Sequence, residues 1–480
     1  MNDLLPLLGV LLLLYWAGVI LTIIAEDREP TETSAWIAVL VLLPVVGLAV
    51  YFFAGRDWKG WLPTRKWFRD WFAMRVPFMA RVYADQSAYS DSWRRQSKST
   101  LSGRISSTIE SANLAPVLPA TSFDIYPTGA EYFPVLLTDL ASAQKSIHMQ
   151  YFIWEHDELT AQITDVLLDR LAYGVEVLIL NDYLGCLVYK KTELKRLAAA
   201  GATVGYDMKE LGRLNYRNHR KITLVDGVIG HSGGFNIGQE YIDGGKKYPA
   251  WRDTGLRMTG PAIVDLAKLF ADRWYELYKE PLYRDEYFTA GNERVGEAVL
   301  PVQTVAHGVE DPLESARRAH VTAIGGASER VWLESPYFVP DPGTYDALIN
   351  SALSGVDVRL IMTDWPDKKM ALHAAESFYK PFLNAGGRIF RYTKGFFHAK
   401  SITVDGIAAA VGTMNLDVRS LKLHKELMVW CYDAAVAQRC EQIFEEDLRD
   451  CREITLQEVE QWGPLHRWMN SAARLGSNLM

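Results

Sequence analysis

Apolar residues follow three rhythms along the chain. Leu4 to Ala25 is almost wholly apolar and uncharged, and Trp36 to Ala54 forms a second such run containing Pro44 and Gly47. Each approaches the roughly 20 residues a helix needs to cross the hydrocarbon of a bilayer. The pattern therefore predicts two transmembrane helices within residues 1–55. Asn2 and Asp3 ahead of the first run are not basic, which argues against a signal peptide. The connector from Glu26 to Thr33 holds four acids and one Arg, whereas Arg56, Lys59, Arg65, Lys66, Arg69 and Arg75 follow the second run. The positive-inside rule then puts the larger C-terminal part in the cytoplasm and the acidic connector outside. In residues 56–81 the pattern changes: Trp58, Trp61, Trp67, Phe68, Trp71, Phe72 and Phe78 interleave with basic residues, several at helical spacing. This suits either the lipid headgroup layer or a core helix packed on the following domain. Residues 86–104, rich in Ser, Gln and Arg, read as a polar linker, so 56–119 forms an interface segment and linker.

From about residue 120 helical and strand periods alternate. Helices are predicted near 134–144, 159–173 and 191–200, with strands at 146–153, 175–182, 202–207 and 221–225. The order then repeats, with helices near 312–324, 344–353 and 371–384 and strands at 330–334, 357–363 and 388–392. Asp226-Gly227 and Asp405-Gly406 are hairpin turn signals. Alternation of this kind predicts an α/β layered fold. Gly291, Asn292 and Pro301 mark a boundary, giving halves at 120–285 and 286–480.

The two halves share a motif. The first reads Asn218-His219-Arg220-Lys221-Ile222-Thr223-Leu224-Val225-Asp226, then Gly233-Gly234-Phe235-Asn236. The second reads Phe397-His398-Ala399-Lys400-Ser401-Ile402-Thr403-Val404-Asp405, then Gly412-Thr413-Met414-Asn415. His, Lys, Asp, Gly and Asn recur at one spacing in both, as an internal duplication requires. Gln150-Tyr151-Phe152 pairs in the same way with Ser335-Pro336-Tyr337-Phe338.

The net charge of −7 over 480 residues argues against a general nucleic-acid binder. Cys186, Cys431, Cys440 and Cys451 show neither CxxC nor metal spacing and read as reduced, buried thiols. A phosphodiester repels nucleophiles, so splitting it needs cations on the phosphoryl oxygens, a nucleophile, and an acid for the leaving oxygen. His219 and His398 can supply nucleophile and acid, and Lys221 and Lys400 the cations, with no metal and no cofactor. Neither half is complete, so the two must face each other across a pseudo-twofold axis. Gly234, Asn236, Thr413 and Asn415 are candidates to contact the substrate phosphate. Asp253 and Glu426 each open an apolar run after the motif and are expected to orient the histidine of their own half. Asp226 and Asp405 complete the catalytic motif, although their place before a Gly turn favours a structural role. His231, His307, His373 and His466 read as structural, and no cluster has metal-ligand spacing.

The duplicated HxKx4D signature resembles the phospholipase D superfamily. With the N-terminal runs, Arg217–Lys221, Gly233–Gly238, Trp251–Asp253 and Glu334–Phe338, the sequence is similar to the bacterial cardiolipin synthase family. The resemblance implies two phospholipase D-like α/β halves in a multi-pass protein of the bacterial inner membrane. It implies transfer between two phosphatidylglycerol molecules through a phosphatidyl-histidine, giving cardiolipin and glycerol. His219 is the nucleophile by this analogy. Thr413 stands where the family usually has Ser, which keeps the hydroxyl. A hydrolytic phospholipase D, or transfer to another acceptor, would use the same site. A nuclease would need no membrane segment, and a scaffold would tolerate decayed motifs.

Overall fold

A computed structural model describes residues 4–26, 30–51, 55, 65–208, 216–293, 296, 299–308 and 311–476, with backbone alone at 4–9, 11–13, 31–32, 44–45, 49 and 65–69. Residues 1–64 and 208–216 form one unit and the rest of the chain another.

In the first unit, helix Leu4–Ile24 is 21 residues long. The second apolar run is not one helix: it divides at Leu43 into Pro30–Leu42 and Pro44–Val50, with Pro44 starting the second piece. Proline has no N–H for the helical ladder, which favours a new start there. Among the described residues no helix is long and apolar enough to cross a membrane. Asp27, Arg28, Glu29, Arg56, Trp58, Lys59 and Trp61, and the side chains of Arg65, Lys66, Trp67, Phe68 and Arg69, lie outside the described residues.

The two large sheets of the second unit are built on one plan, and two short strand pairs accompany them among the described residues. The seven-stranded sheet runs Ser122–Tyr126, Gly255–Thr259, Ile229–Gly233, Ile222–Val225, Ser146–Tyr151, Glu176–Asp182, Thr203–Asp207. The nine-stranded sheet repeats that order with Leu300–His307, Glu426–Cys431, Ala408–Gly412, Ser401–Val404, Arg330–Glu334, Asp357–Thr363, Arg388–Tyr392, and adds an edge strand at each side. In both, the last three strands of the series are parallel and the others antiparallel. Parallel strands carry helical crossovers and are covered on both faces, hence the unbroken burial of Ser146–Tyr151. Alternation is visible inside the second sheet. Val331 and Leu333 face the core that holds Ala319 and Ala323 of one helix, while Trp332 packs on Phe444 of the helix beneath.

Each motif strand ends in a hairpin whose two central residues both have positive φ: Asp226 (54°) with Gly227 (65°), and Asp405 (51°) with Gly406 (63°). That is the turn whose twist matches paired strands. A central core of Leu178, Leu180, Ile222 and Leu224 from one sheet with Val302, Leu427 and Val429 from the other joins the halves.

Three expectations change here. The register sets Ile147 opposite Val225 and Val331 opposite Val404, so Gln150 corresponds to Glu334, two places from the Pro336 that alignment on the shared Tyr-Phe sets against it. The helix foreseen at 371–384 is two, Lys369–Glu376 and Tyr379–Asn384. The stretch read as a linker is also helical, Ser87–Ser97 and Leu101–Asn113, because Leu101, Ile105 and Ile109 share a core with Ala316 and Ala323. From Arg75 onward the aromatic and basic stretch is a core helix. Arg75 pairs with Asp272 at 2.9 Å, Phe78 meets Phe288 edge-on at 5.0 Å, and Met79 and Val82 are buried.

Candidate active site

The two histidines are placed by strand pairing between the halves. Phe396–Phe397 pairs in parallel with Trp251–Arg252, and the His398 N–H donates to the Arg252 carbonyl at 2.7 Å. On the other side Asn218 bridges to Lys425, and the His219 N–H donates to the Lys425 carbonyl at 3.0 Å. The next residues are Asp253 and Glu426, so each histidine is brought to the carboxylate of the opposite half.

The side chains complete this crossing. His398 Nδ1–H donates to Asp253 Oδ2 at 2.6 Å. His219 Nδ1 lies 3.1 Å from both oxygens of Glu426 and 3.2 Å from the Thr413 carbonyl. The expectation that each acid serves its own half is thereby overturned. The segment that carries each acid is hydrogen-bonded to the other half's histidine segment. With Nδ1–H engaged, the lone pair of a neutral ring sits on Nε2, and the carboxylate holds the ring in that tautomer.

All four basic motif groups are buried and feel one another. Burial, then Lys221, Lys400 and His398, hold the His219 pKa well below its ordinary value. Burial and Lys400 lower His398 to about 4 against the pull of Asp253. Burial brings Lys221 down to about 7 and Lys400 to about 8. Their Nζ groups donate to the carbonyls of His219 (2.7 Å) and His398. Mutual repulsion among so many basic groups, added to burial, favours their neutral forms. The acids differ. Burial lifts Glu426 to about 7, whereas Lys400 and His398 outweigh burial at Asp253 and keep it below the usual carboxylate range.

The remaining candidates serve the scaffold. Asp226 accepts from the N–H groups of Gln144, Lys145 and Ser146, and Asp405 from those of Ser328, Glu329 and Arg330. Both sit in turns at the far end of the motif strands and tie down the start of the neighbouring strand. Gly234 makes room for the orienting acid rather than for phosphate: a Cβ there would lie 1.9 Å from Asp253 Oδ1. Its counterpart Thr413 donates its hydroxyl to Glu426. Asn236 accepts from the Ile153 N–H at 3.1 Å and donates to the Tyr241 hydroxyl at 3.0 Å, which leaves it a loop tie. Asn415 donates to Ser420, and its buried Oδ1 has no partner among the described residues.

His231 pairs with Asp139 at 2.8 Å and His466 with Glu376 at 2.7 Å, whereas His307, which bonds to no motif histidine among the described residues, pairs with the Ser420 carbonyl at 2.7 Å and stands opposite Glu426 in the sheet. Sequence spacing did not reveal that His373, Glu376 and His466 offer ligand atoms within 4.8 Å of one another. Glu376 also meets Arg391 at 3.3 Å, so the group already forms a closed ion-pair network.

Other residues escaped the sequence reading. Asn218 donates to Asp207 at 2.7 Å, and Asp207 accepts from Arg273 at 2.6 Å, bracing the His219 segment from behind. Arg252 is held by Asp447 at 2.9 Å beside Glu334, bracing the Asp253 segment. The His424 ring lies 6.3 Å from that of His219, with its Nε2 buried and without a partner among the described residues. None of these recurs as the same residue in both copies, so only folding brings their roles to notice.

A duplicated α/β unit with two His-Lys motifs meeting at the join is a phospholipase D-like architecture. Residues 136–246 and 321–448 match the family model described as cardiolipin synthase, PLD-like domain, and residues 10–56 match the phospholipase D-nuclease N-terminal model. Cardiolipin synthase 1 of Bacillus anthracis is 31% identical over 98% of this chain and 94% of its own. Cardiolipin synthase of Geobacillus kaustophilus is 33% identical over 100% and 95%, and the major cardiolipin synthase of Bacillus subtilis 31% identical over 96% of each. The chain belongs to the cardiolipin synthase family. The crystal structure of phosphatidylserine synthase from Haemophilus influenzae shares the fold, with a TM-score of 0.61 at 14% identity, covering 78% of this chain and all of that one.

Proposed function

We propose that this protein is a membrane-anchored phosphatidyltransferase that makes cardiolipin and glycerol from two phosphatidylglycerol molecules. The observation that carries the reading is the crossed pair of imidazoles, each with a buried carboxylate on Nδ1 and a buried lysine beside it. Family membership and the names of the full-length relatives supply the substrate class.

In this scheme Nε2 of His219 attacks phosphorus and the P–O bond to glycerol breaks. Glycerol leaves with the proton of His398. The hydroxyl of a second phosphatidylglycerol then gives its proton to His398 and attacks phosphorus, and the P–N bond to His219 breaks. The two acids support this assignment. Asp253 holds its charge and stabilises an imidazolium at His398, whereas Glu426 holds its charge less readily and leaves His219 neutral and nucleophilic. A bound phosphodiester adds the negative charge that raises the proton affinity of His398. In this scheme Lys221 and Lys400 supply the positive charge that meets the phosphoryl oxygens.

The anchor is read from the uncharged run Leu4 to Ala25, the second apolar run, and the match at residues 10–56. With the basic residues that follow, it places the catalytic part on the cytoplasmic side of a bacterial inner membrane. The test is the purified full chain in phosphatidylglycerol vesicles, with products resolved by mass. Cardiolipin plus glycerol supports transfer. Phosphatidic acid plus glycerol would make the protein a hydrolase and refute the proposal.

A further inference from the structure

We infer that two loops flanking the active-site mouth, 183–191 and 364–370, form a docking rim that sets the cleft against an anionic bilayer. The inference rests on the lipid-transfer reading above and names the surface that delivers the substrate.

The two loops occupy equivalent places. The first joins strand Glu176–Asp182 to helix Thr192–Ala199, and the second joins strand Asp357–Thr363 to helix Lys369–Glu376 and takes in that helix's first two residues. Those strands hold the same position in their sheets, and both loops leave the C-terminal ends of parallel strands, where α/β sheets bind ligands. Each loop is one residue removed from a motif histidine. Cys186 packs on the Phe152 carbonyl, and the Phe152 ring is 5.1 Å from that of His219. Thr363 Oγ1 accepts from the Phe397 N–H at 3.3 Å, directly before His398, and Trp365 Nε1 donates to the Thr393 carbonyl at 2.7 Å.

Both loops expose large apolar side chains where a soluble rim would be polar. Leu187 is 50% exposed and Val188 82%; Trp365 is 42% and Met370 55%. Lysines stand beside them in both copies: Lys190 and Lys191, and Lys368 and Lys369, the second pair next to the exposed Asp367, while Asp364 is neutralised by Arg391 at 2.6 Å. Lys191 lies over the Tyr206 ring at 4.4 Å, whereas Lys190, Lys368 and Lys369 are exposed. An apolar tip with a cationic flank fits a headgroup layer, the tip entering the acyl boundary and the cations meeting phosphate. The symmetry makes chance exposure a poor account, because the same mixture recurs on both sides of one cleft at non-identical residues.

The experiment uses the full chain carrying Cys451→Ser, reconstituted into phosphatidylglycerol vesicles with doxyl-labelled acyl chains. A fluorophore is attached at Val188→Cys or Met370→Cys. Controls are Tyr173→Cys and Leu353→Cys, which are as exposed (74% and 66%) but lie just before the same two strands, at the opposite edge of the sheets. Doxyl quenching is expected to be several-fold stronger at 188 and 370 than at 173 and 353, and to weaken when phosphatidylcholine replaces phosphatidylglycerol. Replacing Lys190, Lys368 or Lys369 by Gln should raise the half-saturating mole fraction of phosphatidylglycerol roughly fivefold each. Equal quenching at rim and control positions overturns the inference. So does shielding of 188 and 370 from water without doxyl quenching, which would mark a second copy of the chain as the occupant. Cardiolipin formation is measured on the same samples. Its absence with quenching intact removes the transfer reading and leaves the rim, and its presence with equal quenching does the reverse.

Discussion

Replacing Asp253 by Asn tests the crossing directly, because it alters the first half and should disable the histidine of the second. Asp253 is fully buried, accepts from His398 at 2.6 Å and from the Thr254 N–H at 2.8 Å, and lies 3.8 Å from Lys400. The amide keeps the shape, so the cavity term is negligible. What is lost is one hydrogen bond to a charged acceptor, worth about 1.5–3 kcal/mol. The charge that stabilises an imidazolium at His398 goes too. Turnover should fall by about 10- to 150-fold from the first loss alone, and further if the ring takes the other tautomer. The assay pairs cardiolipin formation with the downfield Nδ1–H resonances of ring-labelled histidine. Asp253→Asn should shift the His398 resonance and leave that of His219 in place, and Glu426→Gln should do the opposite. If Asp253→Asn perturbs His219 instead, the acids serve their own halves and the crossed arrangement is wrong.

Four further outcomes follow from the same geometry. Gly234→Ala should reproduce much of the Asp253→Asn defect with the charge retained, since its Cβ would displace the carboxylate that now lies 1.9 Å from that point; crystallography or the His398 resonance would show the displacement. Asp226→Ala removes the acceptor of three N–H groups and should lower stability by on the order of 1–3 kcal/mol, read as a lower melting temperature with turnover per folded molecule kept. Lysine is cationic below its pKa, so phosphate binding should be strong in acid and weaken as pH rises through about 7 to 8, where Lys221 and Lys400 lose their protons; an unperturbed lysine would hold to about 10.4, and a pH profile of half-saturating substrate separates the two. Chelation by EDTA should leave transfer on soluble short-chain substrate intact, and complete loss restored by one metal ion would refute the lysine-based chemistry.

Much of the fold was legible because it is written twice. Strands 357–363 and 388–392 match the observed Asp357–Thr363 and Arg388–Tyr392, since buried parallel strands read as short apolar runs between turn signals. The four basic residues of the site were equally plain, because duplication lifts a His-x-Lys spacing above chance. What the pattern could not carry was anything decided by a partner element. Leu101, Ile105 and Ile109 sit among Ser and Arg, and their helix is recognisable only once the helix Ser315–Gly326 is there to cover it. The helical stretch from Arg75 fell between two readings because aromatic and basic residues serve a headgroup layer and a domain surface alike. Asp272 and Phe288, distant in sequence, decide in favour of the surface.

The crossing of the acids was hidden for a sharper reason. A sequence repeat says which residues are equivalent, and nothing about which copy they touch. Asp253 and Glu426 are equivalent: each directly precedes the residue whose carbonyl accepts from Gly234 or Thr413, the position after the motif's first Gly. Had each acid turned to its own half, either unit could have held an oriented imidazole without the other. The strand pairs Phe396–Phe397 with Trp251–Arg252 and Asn218 with Lys425 instead make each histidine depend on the opposite half. The two copies have diverged around that dependence in a compensating way. Where the acid is the shorter Asp253, the facing residue is Gly234, which lets the carboxylate come close. Where it is the longer Glu426, the facing residue is Thr413, whose hydroxyl holds the carboxylate in place. A lone half would therefore keep its lysine and its imidazole and still lack the acid that orients the ring, so its chemistry begins only when the two halves close on each other.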